Sequence, residues 1–261
     1  MSDATSNSEF YDLLNSVTSA ETFSLTLTDA KEYTFKQLST SQLKDLIKTV
    51  VDSPLTQAVY NNAVSKIMKD SLVTEGVDAS LFNVVDRLLF TLETRIQSIS
   101  PTITVTNEDK SVEVNLASVK QKLVDSIAAD SSKFTNQTFK GSSIEVSYGL
   151  PLLKTESQLN DELYKDVTLN IENQEELRKI LGETFVNEIA KTVQTITVAD
   201  KVLDLSSVNF KSRLKTIESL PASLVNSVIE YIEKYKKIVE ESLLTDAGIS
   251  IPIDGSLFSL R

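Results

Sequence analysis

Apolar residues recur every three or four positions along most of this 261-residue chain. This spacing places them on one side of an α-helix and predicts amphipathic helices that pack around a buried core. Short segments with strict two-residue alternation lie between the helical ones and predict β-strands. The pattern therefore predicts an α+β protein that is mainly helical.

The N-terminal part of the chain combines one predicted β-hairpin with three predicted helices. Residues 23–29 and 32–38 alternate between apolar and polar side chains, which predicts two strands joined by a tight turn. Ser39 and Gln42 have the spacing of a capping box and predict the start of the first helix. Pro101 predicts the end of the third helix, because the residue before a proline avoids the helical conformation.

The balance of helical and strand-like segments changes along the chain and predicts four regions. The first is an arm with a short amphipathic helix, and the second is the hairpin with its helices. The third is a loop-rich middle module that contains β-strands, and the fourth is a helical unit with a short extended tail. The predicted boundaries are, in this order, residues 1–20, 21–101, 102–170 and 171–261.

The charge balance disfavours several classes of partner. The chain has 26 Lys and Arg residues against 37 Asp and Glu residues, a net charge of −11. This sign repels phosphate backbones and anionic lipid head groups, so we expect no direct nucleic-acid contact and no membrane binding. No apolar run reaches the ~20 residues that span a bilayer. The N-terminal sequence MSDATSNSEF lacks the pattern of a signal peptide, and we expect assembly in a cytoplasm.

The chain contains no His and no Cys, which narrows the chemistry that it can perform. His-dependent triads, Cys nucleophiles, zinc fingers and iron–sulfur ligation are excluded. Catalysis by carboxylates or Lys, and a hard cation held by oxygen ligands, stay open. No glycine-rich phosphate motif and no calcium-binding loop occurs. We therefore predict that the chain is not an enzyme and that it has no catalytic, cofactor-binding or metal-binding residues.

Three charged residues lie in the otherwise apolar third helix: Asp86, Arg87 and Arg95. A charge on a buried helix either lines a functional site or ties neighbouring helices and loops together. The second role is the commoner one, so we interpret these three residues as structural ion-pairing residues.

Apolar residues near both chain ends are the candidate partner-interface residues. Their terminal positions place them poorly for one central core, so we expect them to contact another protein. Packing within their own unit is the alternative. The residues are Phe10, Leu13, Leu14, Ile251, Ile253 and Phe258.

Two stretches of the chain resemble a known family. Residues 33–54 read YTFKQLSTSQLKDLIKTVVDSP, and the helices YNNAVSKIMKD and LFNVVDRLLFTLETRIQS follow. Their marks are an aromatic strand before the helix start at residues 40–45, then Asp86, Arg87 and the later Arg95. Near the C-terminus, IESLPASLVNSVIEYIEKYK precedes the tail ISIPIDGSLFSL. Together these stretches resemble the baseplate hub subunit family of T4-like contractile-tailed bacteriophages.

The resemblance implies a non-enzymatic structural or assembly protein of a phage tail baseplate hub. It implies assembly in the host cytoplasm, a final place in the virion tail baseplate, and other hub or tail proteins as partners in an oligomer or hetero-complex. The alternative within this class is a transient chaperone for hub or tape-measure proteins that is absent from the mature virion. The alternatives from other classes are a general host scaffold and a carboxylate- or metal-dependent enzyme, which would need three or more Asp or Glu residues in one pocket.

Overall fold

The structure is a computed structural model that describes residues 21–49, 56–107, 110–164 and 174–259. These residues form eight α-helices and eight β-strands, and all the strand pairs are antiparallel. The predicted α+β class is thereby confirmed.

The chain divides into two compact units, each built from separated segments of sequence. Unit 1 contains the described residues up to Ala79, then Asp86–Lys120, and the described residues from Thr245 on. Unit 2 contains Ser80–Val85 and Gln121–Leu244. The four predicted regions, in contrast, are contiguous. Periodicity is a local property, and it does not report which distant segments pack together.

Unit 1 begins with a β-hairpin in which β1 (Thr22–Thr26) pairs with β2 (Glu32–Lys36). Alternation places the apolar side chains of both strands on one buried face. On this face the rings of Phe23 and Phe35 stack with their centroids 5.8 Å apart. Such a cross-strand aromatic pair stabilises the hairpin and fixes its register.

Three helices follow: α1 (Thr40–Lys48), α2 (Thr56–Ser71) and α3 (Val84–Ser98). The predicted capping box at the start of α1 is confirmed, because the Ser39 hydroxyl accepts from the Gln42 N–H and the Gln42 amide oxygen accepts from the Ser39 N–H. The part of α3 from residue 86 on belongs to unit 1.

The core of unit 1 joins the first hairpin to α3. The ring centroid of Phe90 on α3 lies 5.0 Å from that of Phe35 on β2, and both side chains are buried. Since aromatic side chains bury a large apolar area, this contact is a strong link between the sheet and the helix. A second hairpin follows, in which β3 (Thr102–Asn107) pairs with β4 (Lys110–Asn115). Helix α4 (Leu116–Ala129) begins directly after it.

Unit 2 is built around a four-stranded antiparallel sheet with the strand order β5-β6-β7-β8. The two central strands are far apart in sequence, because two helices intervene between them. Strand β8 lies at one edge of the sheet. The strands are β5 (Gln137–Lys140), β6 (Ile144–Tyr148), β7 (Val193–Val198) and β8 (Lys201–Asp204).

Four helices complete unit 2: α5 (Leu153–Tyr164), α6 (Gln174–Thr192), α7 (Phe210–Glu218) and α8 (Ala222–Ser242). The core of this unit combines apolar residues of the sheet with those of the helices. Helix α8 contributes a buried stripe of apolar residues to this core. The core residues include Val146, Ile189, Val193, Leu205, Leu224, Val228, Ile232 and Tyr235.

Candidate partner-binding surface

The charged residues predicted on α3 make structural contacts within unit 1. Asp86 and Arg87 are both buried. Asp86 Oδ1 accepts hydrogen bonds from the backbone N–H and the hydroxyl of Thr28, each at 2.8 Å. Arg87 Nη1 donates to Ser65 Oγ on α2 at 3.2 Å. These contacts tie α3 to the turn after β1 and to the neighbouring helix.

Arg95 satisfies backbone carbonyls at the C-terminal end of α3. Its Nε donates to Leu257 O at 2.7 Å, and its Nη1 donates to Ser100 O at 2.5 Å. Burial lowers the pKa of Arg95. A cation in the last turn of a helix is also stabilised by the helix dipole. Arg95 thus ties the end of α3 to the segment that follows it and to the C-terminal tail, whereas its predicted ion pairing stays a prediction.

A second buried arginine, which the sequence analysis did not single out, bonds backbone carbonyls in unit 2, one of them in the last turn of a helix. Arg213 Nε and Nη2 donate to Ala190 O at 3.1 and 2.6 Å. Nη2 also donates to Val193 O, and Nη1 donates to Leu205 O. Burial lowers the pKa of Arg213 to about 10, so this side chain is still a cation at neutral pH. It closes the C-terminal end of α6 where the chain turns into β7.

Lys122 of α4 plays a similar part at the end of α8. Its Nζ donates to Glu241 O at 2.7 Å and to Leu244 O at 3.4 Å. Two helix ends, those of α6 and α8, are therefore closed by cationic side chains. The sequence alone does not distinguish a basic residue with this role from a basic residue on the surface, because the carbonyls that it bonds belong to distant segments.

The predicted interface residues of the C-terminal tail are in part enclosed by the chain itself. Ile251 and Phe258 are only 2% and 1% exposed and pack within unit 1. Ile253 is half-buried, so its contact with a partner stays a prediction. The predicted N-terminal residues, Phe10, Leu13 and Leu14, lie outside the described residues.

The β7–β8 hairpin of unit 2 presents an apolar surface that the sequence analysis did not select. Of the eight large apolar side chains exposed among the described residues, three lie on this hairpin: Val198, Val202 and Leu203. Val202 is 67% exposed. All four residues of β8 are exposed, although neighbouring residues of a strand point to opposite faces. Both faces of β8 are thus accessible.

One edge of β8 pairs with β7, and among the described residues the other edge has no strand partner. An unpaired edge presents backbone N–H and C=O groups to which another strand can bind. The register pairs Val198 with Lys201 across a two-residue turn, and such flanking pairs are hydrogen-bonded in tight hairpins. The alternation of bonded and non-bonded pairs then directs the N–H of Val202 toward the open edge.

The turn of this hairpin is held in an uncommon conformation. Ala199 and Asp200 have φ values of 46° and 65°, in the left-handed region. A two-residue turn of this kind matches the twist of the strands that it joins. Asp tolerates this conformation, but Ala pays a penalty of about 1 kcal/mol for it. The sequence of this segment does not show that its second strand lies at an edge.

Polar interactions fix the end of β8. The Asp204 carboxylate accepts a hydrogen bond from the Ser206 N–H at 2.8 Å and caps a short 3₁₀-helix, Leu205–Ser207. Hydrogen bonds from Ser206 to this carboxylate lower the pKa of Asp204. Strand β8 therefore has two apolar residues, Val202 and Leu203, between the positive charge of Lys201 and the negative charge of Asp204.

Neither a metal-binding acidic cluster nor a membrane-spanning helix occurs among the described residues. No group of three or more acidic side chains there could hold a metal ion. No helix in that part of the chain is both long and apolar enough to cross a membrane.

Comparisons with protein-family models, with curated proteins and with solved structures found no match to this chain.

Proposed function

We propose that this chain is a non-enzymatic structural or assembly protein of a phage tail baseplate hub, and that it binds a partner protein along the open edge of β8. The observation that carries the proposal is the exposure of Val202 and Leu203 beside an unpaired strand edge. The sequence resemblance described above supports the class of partner: other hub or tail proteins in an oligomer or hetero-complex.

Strand addition is the binding mode that fits this surface. A partner strand gains affinity from hydrogen bonds to the backbone of the edge and gains specificity from contacts with alternate side chains. Exposed apolar side chains on both faces of β8 add area that a partner can bury. Protein partners also agree with the charges, because a net charge of −11 disfavours nucleic acid and three of the cations lie at helix ends.

Co-expression with candidate hub and tape-measure proteins, followed by size-exclusion chromatography, tests the proposal. We expect the wild-type chain to co-elute with one of them. The Val202→Pro variant should lose co-elution, because proline removes the N–H that faces the open edge and leaves the pairing with β7 intact. The matched control is Val202→Thr, which keeps this N–H and should co-elute. Co-elution of Val202→Pro at the wild-type level would contradict binding through β8.

Mass spectrometry of purified particles separates the two forms of the proposal. A structural protein of the hub should be present in finished virions in a fixed ratio to its partner. A transient chaperone should co-elute with the same partner in cell extracts and be missing from finished particles. The strand-edge variant should reduce partner binding in either case.

A further inference from the structure

Unit 2 contains a cavity of about 390 Å³. Its walls come from several segments of the unit and include the first residues of β7, Asp204 at the end of β8, and helices α5, α6 and α7. The volume lies near the lower end of the range typical of small-molecule sites. The polar residues that carry the argument are Asn136, Lys191, Gln194, Asp204 and Arg213.

Two buried cations, Lys191 and Arg213, form part of the cavity wall. Their exposed fractions are 8% and 5%. The ammonium of Lys191 has three N–H donors, and its contact in the described residues is with Glu188 Oε1 at 2.6 Å. The guanidinium of Arg213 has five N–H donors and makes four hydrogen bonds to carbonyls.

Three charged N–H donors in the wall are thus left without an acceptor among the described residues. Two belong to Lys191 and one belongs to Nη1 of Arg213. A buried charged donor without an acceptor is unfavourable, so an acceptor that enters the cavity gains free energy by bonding to it. Hydrogen bonds between a cation and an anion are the strongest of this kind.

The local charge balance also favours an anion. Glu188 bridges two lysines, with Oε1 on Lys191 and Oε2 3.1 Å from Lys236 Nζ. Burial raises the pKa of Glu188, but the two lysines outweigh this effect and lower the pKa overall, so the carboxylate is charged at neutral pH. Among the residues that line the cavity, two are cations, Lys191 and Arg213, and one is a carboxylate, Asp204. This excess of one positive charge contrasts with the net charge of −11 for the chain.

A neutral amide pair completes the wall. Gln194 Nε2 donates to Asn136 Oδ1 at 3.0 Å, which leaves the NH₂ group of Asn136 as a further donor. The Asn136 side chain occupies this place because residue 149 is glycine: a Cβ at Gly149 would lie 2.0 Å from Asn136 Oδ1. The side chains around the cavity are therefore held by specific packing.

We propose that this cavity binds a small molecule with a carboxylate or phosphate group, whose oxygens accept hydrogen bonds from Lys191 and Arg213. Asn136 supplies an additional neutral donor. The carboxylate of Asp204, on the same cavity, favours a ligand that also carries a hydroxyl group or another donor. The proposal is independent of the partner-binding function, since it uses neither Val202 nor the open edge of β8.

Calorimetric titration of the full chain tests the proposal with two probes, inorganic phosphate and malate, at constant ionic strength. We expect saturable binding of one molecule per chain for at least one probe. Binding of phosphate alone identifies a phosphate-bearing ligand, and binding of malate alone identifies a carboxylate. Absence of saturable binding for both probes would overturn the proposal.

Two lysine variants locate the binding site. Lys191→Gln and Lys236→Gln each remove one of the two lysines that pair with Glu188, but only Lys191 lines the cavity. We expect Lys191→Gln to weaken probe binding by about tenfold or more and Lys236→Gln to weaken it by less than about twofold. Equal weakening by both variants would show a general charge effect and would overturn the site.

A further pair of variants leaves both lysines in place. Asn136→Asp keeps the acceptor for Gln194 and adds a negative charge to the cavity wall. Ser223→Asp adds the same charge at an exposed position in the first turn of α8. Asn136→Asp should weaken probe binding by about tenfold, and Ser223→Asp should leave it within about twofold of the wild type. Unchanged binding by Asn136→Asp would contradict the proposed site.

Discussion

Each unit of this protein buries an arginine at the C-terminal end of a helix, but the two arginines are used differently. In unit 1, Arg95 bonds two carbonyls and ties its own helix to the C-terminal tail. In unit 2, Arg213 makes four bonds to three carbonyls and also lines a cavity. A buried arginine therefore joins distant backbone segments in both units, but only Arg213 bonds the last turn of a helix and also borders a cavity.

The exposure of the strand side chains also differs between the two units. The first hairpin of unit 1 buries the apolar face of both of its strands. The sheet of unit 2 ends in β8, whose residues are exposed on both faces. Both surfaces that we propose for binding, the strand edge and the cavity, therefore belong to unit 2.

The largest expected effect comes from removing the arginine of unit 2. Arg213→Met keeps much of the side-chain volume but leaves the carbonyls of Ala190, Val193 and Leu205 without their donor. We expect a loss of about 3–5 kcal/mol in the free energy of unfolding, because buried acceptors lose charged hydrogen bonds. Urea denaturation measures it. A loss below about 1 kcal/mol would show that the carbonyls find other donors.

Replacing the buried arginine of unit 1 should have a smaller effect on stability. Arg95→Met removes the donor of two carbonyls, Leu257 O and Ser100 O. We expect a loss of about 2–3 kcal/mol in the free energy of unfolding, smaller than for Arg213→Met, since fewer acceptors are affected. The same denaturation experiment applies. A larger loss in the free energy of unfolding for Arg95→Met than for Arg213→Met would contradict this expectation.

The contribution of Glu188 to the stability of the chain should depend on pH. The pKa of Glu188 in the folded chain is below its ordinary value of 4.5. This carboxylate therefore contributes stability that is complete above 4.5 and is lost as the pH falls through the lower folded-state pKa. At neutral pH the free energy of unfolding of the wild type should exceed that of Glu188→Gln by about 1 kcal/mol or less, because the carboxylate is partly exposed. This difference should shrink in acid.

Denaturation of the wild type and of the Glu188→Gln variant, at about pH 7 and about pH 3, measures this difference in the free energy of unfolding. Glu230→Gln is the control, since Glu230 forms an exposed pair with Lys234 and its removal should change little. A difference between wild type and Glu188→Gln that grows in acid would contradict the assigned sign.

The smallest effects concern the two hairpin turns. Ala30 in the first hairpin and Ala199 in the β7–β8 hairpin both have positive φ, at 61° and 46°. Because glycine adopts this conformation without strain, Ala30→Gly and Ala199→Gly should each raise stability by about 0.5 kcal/mol. Thermal melting measures the change, and Ala222→Gly in the first turn of α8 is the control that should lower stability. A lower Tm for Ala199→Gly than for the wild type would contradict the expectation that Ala199 is strained.

Local signals predicted much of the fold. The Ser39–Gln42 capping box, the first hairpin and the apolar stripe of α8 each arise within a few neighbouring residues, so one sequence is enough to predict them. The α+β class follows from such elements. The two units do not follow, because their segments meet through packing between positions far apart in the chain.

The candidate sites were harder to predict for the same reason. Arg213 is one basic residue in a short helix, and its acceptors lie 8 to 23 positions away. The exposure of Val202 depends on β8 being the last strand of the sheet, which its sequence does not indicate. Conversely, Ile251 and Phe258 are apolar residues near a chain end, and the structure buries them within unit 1.

Hydrogen–deuterium exchange of the full chain, alone and in complex with the protein that co-elutes with it, tests whether a partner binds the open edge of β8. We expect the backbone amides of β8, above all that of Val202, to exchange more slowly in the complex, because a partner strand accepts their hydrogen bonds. Unchanged exchange in β8, together with new protection elsewhere in the chain, would contradict binding through this edge.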